Sequence, residues 1–193
     1  MKQELLIGIT ESGVMHTDAD PPIPLETKFQ MVKESGVYDY FDKTPPLEME
    51  DDYRRCSEKY ELPILAGGWF YVLGRDEDLL MENLRLGARL GSLVHNTQII
   101  MDHQDGTLVS DEQVVEIYLR AYETGEACGC RPTFEVHVNM WSEDFRRIEK
   151  VADLVEKRGI PFRMTLDHSH VIFKIDNLLE QEVFNIRESI ENG

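Results

Sequence analysis

Two short stretches hold most of the side chains in this sequence that could do chemistry. In TFEVHV, Glu135 is followed two residues later by His137; in PFRMTLDHSH, Asp167 is followed by His168 and His170. Both stretches are rich in strand-forming residues, and side chains along a strand repeat every second position. Glu135 and His137 therefore share a face of one strand, and Thr165 and Asp167 share a face of the other. Between them, WSEDFRRIEKVADLVEKRG reads as a helix with Phe145, Ile148, Ala152 and Val155 on one side. A helical crossover joins parallel strands, so both acids arrive at the C-terminal end of the same sheet. Carboxylates and imidazoles converging there are oxygen and nitrogen donors for a divalent metal cation, whether Mn2+, Zn2+, Mg2+ or Co2+.

The elements that must position these groups recur along the chain. Residues 5–10 read as a first strand, and the proline-rich HTDADPPIP after it as a loop. A helix over LETKFQMVKESG places Leu25, Phe29 and Val32 on one face and stops at Gly36. Residues 37–41 form the second expected strand, LEMEDDYRRCSEKYE a charged helix with a solvated face, and residues 64–73 the third strand. Gly67-Gly68 in that strand suggests a bulge or a close backbone approach. Asp76 can cap a helix with Leu80, Leu84 and Ala88 inward, and residues 93–101 form strand four. Ser110 and Gln113 have the spacing of a capping box. Residues 131–138 and 162–167 are strands five and six, with Ser142 placed to cap the helix between them. NLLEQEVFNIRESIENG then reads as a sixth helix, with Leu179, Val183, Ile186 and Ile190 inward.

This alternation, without hairpin signals or low-complexity linkers, means an α/β fold with a parallel sheet covered by helices, in one domain over residues 1–193. The first strand turn, ITESGVM, has neither G-x-G-x-x-G nor G-x-x-x-x-G-K-[ST], so a nucleotide-binding reading lacks its fingerprint. An open doubly wound sheet and a (β/α)8 barrel both fit the alternation, although a barrel needs about eight units and about 250 residues. Six units are present.

At 41% hydrophobic and 30% charged, the chain has the composition of a folded globular protein. Its net charge of −17 argues against a nucleic-acid partner, which needs clustered Lys and Arg. No apolar run approaches the roughly 20 residues of a membrane span, and MKQELLIGIT is too short in apolar residues for a secretory signal. Cys56, Cys128 and Cys130 cannot all pair, and Cys128-Gly129-Cys130 is too compressed for a zinc knuckle. Reduced thiols and a cytoplasmic location are expected.

F-E-V-H at the end of strand five and T-L-D-H-S-H at the end of strand six resemble the xylose isomerase-like TIM barrel superfamily. That group contains sugar isomerases and epimerases together with DNA-repair endonucleases of the endonuclease IV and AP endonuclease 2 types. The resemblance implies that Glu135 and Asp167 bind a divalent metal and that His170 supplies the histidine of the D-x-x-H motif. It also implies substrate contacts from His137, two residues after the glutamate, and from His103, just past strand four. Relatives complete the site with a histidine from strand seven and a glutamate from strand eight. The resemblance therefore implies a C-terminally incomplete barrel, a truncated or fragment form whose open edge would take a second copy or a complementing chain.

The chemistry implied is isomerisation or epimerisation of a small sugar or hydroxy-keto acid. A metal there polarises a carbonyl, acidifies the adjacent C–H and stabilises the enediolate. Glu135 and His170 are the expected catalytic groups. Trp69, in the run Trp69-Phe70-Tyr71, is a candidate to line a sugar-sized pocket, and Trp141 either lines it or packs in the core. His16 and His95 are expected to be structural, and His168 to face a helix. Asp167 has a competing local role, since Asp readily caps a turn. Two other functions stay open: a non-catalytic fragment or assembly module, and an endonuclease IV-like phosphodiesterase. Against the second stand the negative charge and the strand-two end, YFDKT, which carries no histidine.

Overall fold

A computed structural model describes residues 5–14 and 22–170 of the chain. The expected sixth helix and His16 lie outside the described residues. The strands are β1 (Gly8–Thr10), β2 (Tyr40–Asp42), β3 (Ile64–Tyr71), β4 (Val94–Ile99), β5 (Arg131–Val136) and β6 (Met164–Leu166). Between them lie α1 (Leu25–Ser35), α2 (Glu50–Tyr60), α3 (Glu77–Leu90), α4 (Asp111–Cys128) and α5 (Phe145–Glu156).

The six strands form one sheet in chain order, each parallel to the next. A doubly wound sheet would reverse its strand order at a switch point. This one does not, and the sheet curls as part of a barrel with its helices on one side. Strands alternate between that helix side and an inner side. On the helix side, Phe41 stacks on Phe29 with ring centroids 4.4 Å apart, and Tyr53 meets Phe29 edge-on. Farther along, Phe134 meets Tyr118, Trp141 and Phe162 at 5.1, 6.3 and 6.2 Å, all in edge-on contacts. Trp141 is thus a core residue, as is Val151, which takes the inward place in α5 expected for Ala152.

Local signals explain most boundaries. Gly36, Gly91 and Gly129 end α1, α3 and α4 in the left-handed conformation that only glycine adopts without strain. The Ser110–Gln113 capping box opens α4 with both reciprocal bonds. α5 is capped by Asp144, whose carboxylate accepts from Arg146 N at 3.0 Å, rather than by Ser142. Ser142 instead accepts from His137 N and donates to the Glu135 carbonyl, pinning the end of β5. The strands are shorter than the apolar runs because pairing, not composition, ends them: among the described residues β1 and β6 each have one neighbour, and β2 shifts register between Phe41 and Asp42.

Candidate metal centre

Alternation decides which side chains meet inside the curl. Phe134 and Val136 pack toward the helices, so Thr133, Glu135 and His137 face inward. On β4, His95, Thr97 and Ile99 are buried on the helix side, leaving Asn96 and Gln98 inward. Register sets Glu135 beside Thr165, and the Thr133 and Thr165 hydroxyls share a 2.6 Å hydrogen bond one layer deeper.

Glu135 is buried, 6% exposed, yet meets no cation among the described residues. Its Oε2 accepts from Asn96 Nδ2 at 2.6 Å and from Gln98 Nε2. A buried carboxylate satisfied only by neutral amides keeps its charge uncompensated. Asp167 lies just past β6. Its Oδ1 accepts from Ser169 N at 2.8 Å and Ser169 Oγ at 2.6 Å, while Oδ2 lies 3.5 Å from His170 Nε2. Partial burial raises the Asp167 carboxyl, but the Ser169 bonds and His170 outweigh it and hold it below the usual carboxylate range. The turn-capping role and an inward-facing role thus use different oxygens of one residue. Among the described residues, Glu135, Asp167 and His170 bring one ligand atom each to within 4.8 Å of one another.

The other candidates separate. His137 joins the group: its ring lies 3.7 Å from that of His170 and meets Phe70 edge-on at 5.9 Å. With Nδ1 bonded to the Val138 carbonyl at 2.6 Å, His137 presents Nε2 for other partners. His103 packs over Gly74 at the turn after β3 and pairs with Asp105 at 3.0 Å, with no described bond to Glu135 or Asp167. Trp69 lies on the helix side with Tyr71 and lines a cavity of about 350 Å³ together with Pro46, Leu79 and Leu86. Phe70 is the inward aromatic of that run, because adjacent strand residues point to opposite faces. His168 is exposed.

His95 is structural. Asn83 Nδ2 donates to Tyr71 Oη at 2.8 Å, Tyr71 Oη lies 2.7 Å from His95 Nε2, and His95 Nδ1 lies 3.3 Å from Thr44 Oγ1. Complete burial pushes the His95 imidazole down to about 3.

Two acids went unrecognised in the sequence. Asp42 ends β2 and faces inward, since Phe41 packs toward the helices; burial and the charge of Glu135 push its carboxyl up. Glu11, just past β1, binds Lys28 at 2.7 Å, Lys43 at 2.8 Å and Tyr53 Oη at 2.8 Å, and despite partial burial these partners bring its carboxyl down to about 2. Neither carries a motif, though Asp42 has the strand-end position of Glu135 and Asp167.

The sequence matches no family model and no curated protein. Solved structures resemble it in fold. AP endonuclease, family 2, from Brucella melitensis superposes with a TM-score of 0.57 at 11% identity, over 76% of this chain and 65% of that one. The 3-keto-D-glucoside 4-epimerase of E. coli gives 0.62 at 14% identity, over 94% and 76%. A sugar phosphate isomerase/epimerase from Parabacteroides distasonis gives 0.59 at 12%, over 94% and 72%. The chain spans less than two thirds of the endonuclease's length. Six parallel strands in chain order, curled with their helices outside, give this chain the fold of part of a (β/α) barrel, as in these solved structures.

Proposed function

We propose that this chain is a divalent-metal-dependent isomerase or epimerase of a small sugar or hydroxy-keto acid. The observation that carries the reading is the convergence of Glu135, Asp167 and His170 on one point at the C-terminal edge of a parallel sheet, their ligand atoms within 4.8 Å of one another. The donor set, two carboxylate oxygens and an imidazole nitrogen, suits Mn2+, Zn2+, Mg2+ or Co2+. Among the described residues, His170 Nδ1 is buried without a partner and Glu135 is a buried carboxylate without a cation. Both are states that a bound ion and its second shell would relieve.

When bound, the ion supplies Lewis acidity that weakens the C–H bond next to a carbonyl. In an isomerisation Glu135, fixed at Oε2 by the Asn96 and Gln98 amides, takes that proton and returns it at the neighbouring carbon, while the hydroxyl proton passes to the former carbonyl oxygen. His170 and His137 orient the substrate oxygens, and Phe70 packs edge-on against His137 beside them. Trp69 and His103, set apart from this group, have no assigned part in the step.

Calorimetric titration with Mn2+ tests the reading. Wild-type protein should bind one ion, and Glu135→Gln and Asp167→Asn should each weaken it by about tenfold or more. Equal binding by all three would remove the site. Wild-type binding with no exchange of substrate C–H for deuterium, across small ketoses and keto acids, would favour a non-catalytic assembly module instead.

A further inference from the structure

The inner face of the sheet is bare at one place. Ala66 and Gly68 precede Phe70 on the inward side of β3; in register, Asp42 lies beside Ala66 and Asn96 beside Gly68. A methyl group at Gly68 would stand 2.9 Å from the Asn96 carbonyl oxygen and 3.1 Å from Asn96 Cβ. The lane between Asp42 and Asn96 is therefore lined on β3 by Ala66 and Gly68 alone, and residue 68 has no room for a side chain.

Both sides of the lane offer acceptors. Asn96 gives Nδ2 to Glu135 Oε2 at 2.6 Å, which fixes the orientation of the amide, since the flipped form would set oxygen against carboxylate. Asn96 Oδ1 is then buried and has no partner among the described residues. A buried acceptor without a donor is costly, so its missing partner is a group that can donate. Across the lane, the Asp42 side chain makes no hydrogen bond or ion pair with a described residue, and it faces inward beside Ala66. Lys43, the adjacent cation, is engaged by Glu11 at 2.8 Å.

We infer that Asp42 and Asn96 Oδ1 form an acceptor subsite, continuous with the Glu135 site, that binds the substrate hydroxyls next to the reacting carbons. This deepens the isomerase reading and rests on it. Hydroxyls donate to both groups, whereas a phosphate or carboxylate would meet a negative charge on one side and a bare carbonyl oxygen on the other. The substrate is thereby narrowed to an uncharged polyol, and sugar phosphates and keto acids with an anionic tail are disfavoured.

The test is calorimetry on the Mn2+-loaded protein with D-fructose and D-tagatose against their 6-phosphates. Wild-type protein should prefer the neutral sugars, and Asp42→Asn should narrow that preference by about tenfold, the worth of one bond to a charged acceptor. Because the preference is a ratio measured on one protein, partial misfolding of the variant does not move it. A ratio within twofold of wild type, or a wild-type preference for the phosphates, would overturn the subsite while leaving the sugar reading in place. If Mn2+ binds but neither class of sugar does, the sugar reading itself fails and the subsite falls with it.

Discussion

Lowering the pH from 7 to 5 should weaken this fold through one buried ring. His95 is neutral in the folded chain because burial holds its imidazole at about 3. The hydrogen-bond chain gives the same answer from geometry. Asn83 donates to Tyr71 Oη, so that hydroxyl donates to His95 Nε2, and the ring proton sits on Nδ1 facing Thr44. Protonating Nε2 would set two donors head to head. The folded value is depressed below the unfolded one of about 6.5, so the unfolded chain binds the extra proton. Stability is therefore full above pH 6.5 and is lost as pH falls toward 3. Linkage gives a loss of about 2 kcal/mol between pH 7 and pH 5, at about 1.4 kcal/mol per unit below 6.5. Urea denaturation at both pH values, on wild type and His95→Gln, isolates the effect, since every other titrating group cancels in the difference. The variant is weaker at pH 7 but should lose about 2 kcal/mol less than wild type on acidification. Parallel pH dependence in the two proteins would refute the argument.

Three further outcomes follow from the packing and the charges. Glu11, at about 2 and only 17% exposed at its side chain, stabilises the fold above its unfolded value of about 4.5; that contribution, about 3 kcal/mol, should vanish as pH falls through 4.5 toward 2 and be absent in Glu11→Gln, as denaturation at pH 5 and pH 3 would show. Phe134→Ala should cost about 3–5 kcal/mol, since three aromatic neighbours lose their shared partner; a loss below about 1 kcal/mol in urea would mean the core collapses around the gap. Ser110→Ala should cost about 1 kcal/mol by removing the capping box of α4, read as a shift in thermal midpoint.

Periodicity together with turn and cap signals located each strand and α-helix among the described residues, because burial on one face of a helix or strand writes a repeat into the chain. Boundaries were less legible. Residues 72 and 73 continue the apolar run of β3 but have no partner in β4 beyond Ile99, and pairing is a property of two segments at once. Ser142 and Asp144 both suit an N-cap, and the choice fell to Asp144 because the Ser142 hydroxyl is taken by β5.

The sequence alone determined that Glu135 and Asp167 would stand at the same end of a parallel sheet, because strand–helix–strand chirality and a two-residue period leave no other arrangement. Only the tertiary structure decided the company they keep. It packed the His137 and His170 rings against each other, turned Phe70 inward and Trp69 outward, and set His103 over Gly74. It also carried Asp42, Asn96 and Gln98 in from strands far away in the sequence. The reason is physical: which face of a strand is inner depends on where its other face can bury Phe41, Tyr71 or Phe134, and that is set by helices elsewhere in the chain.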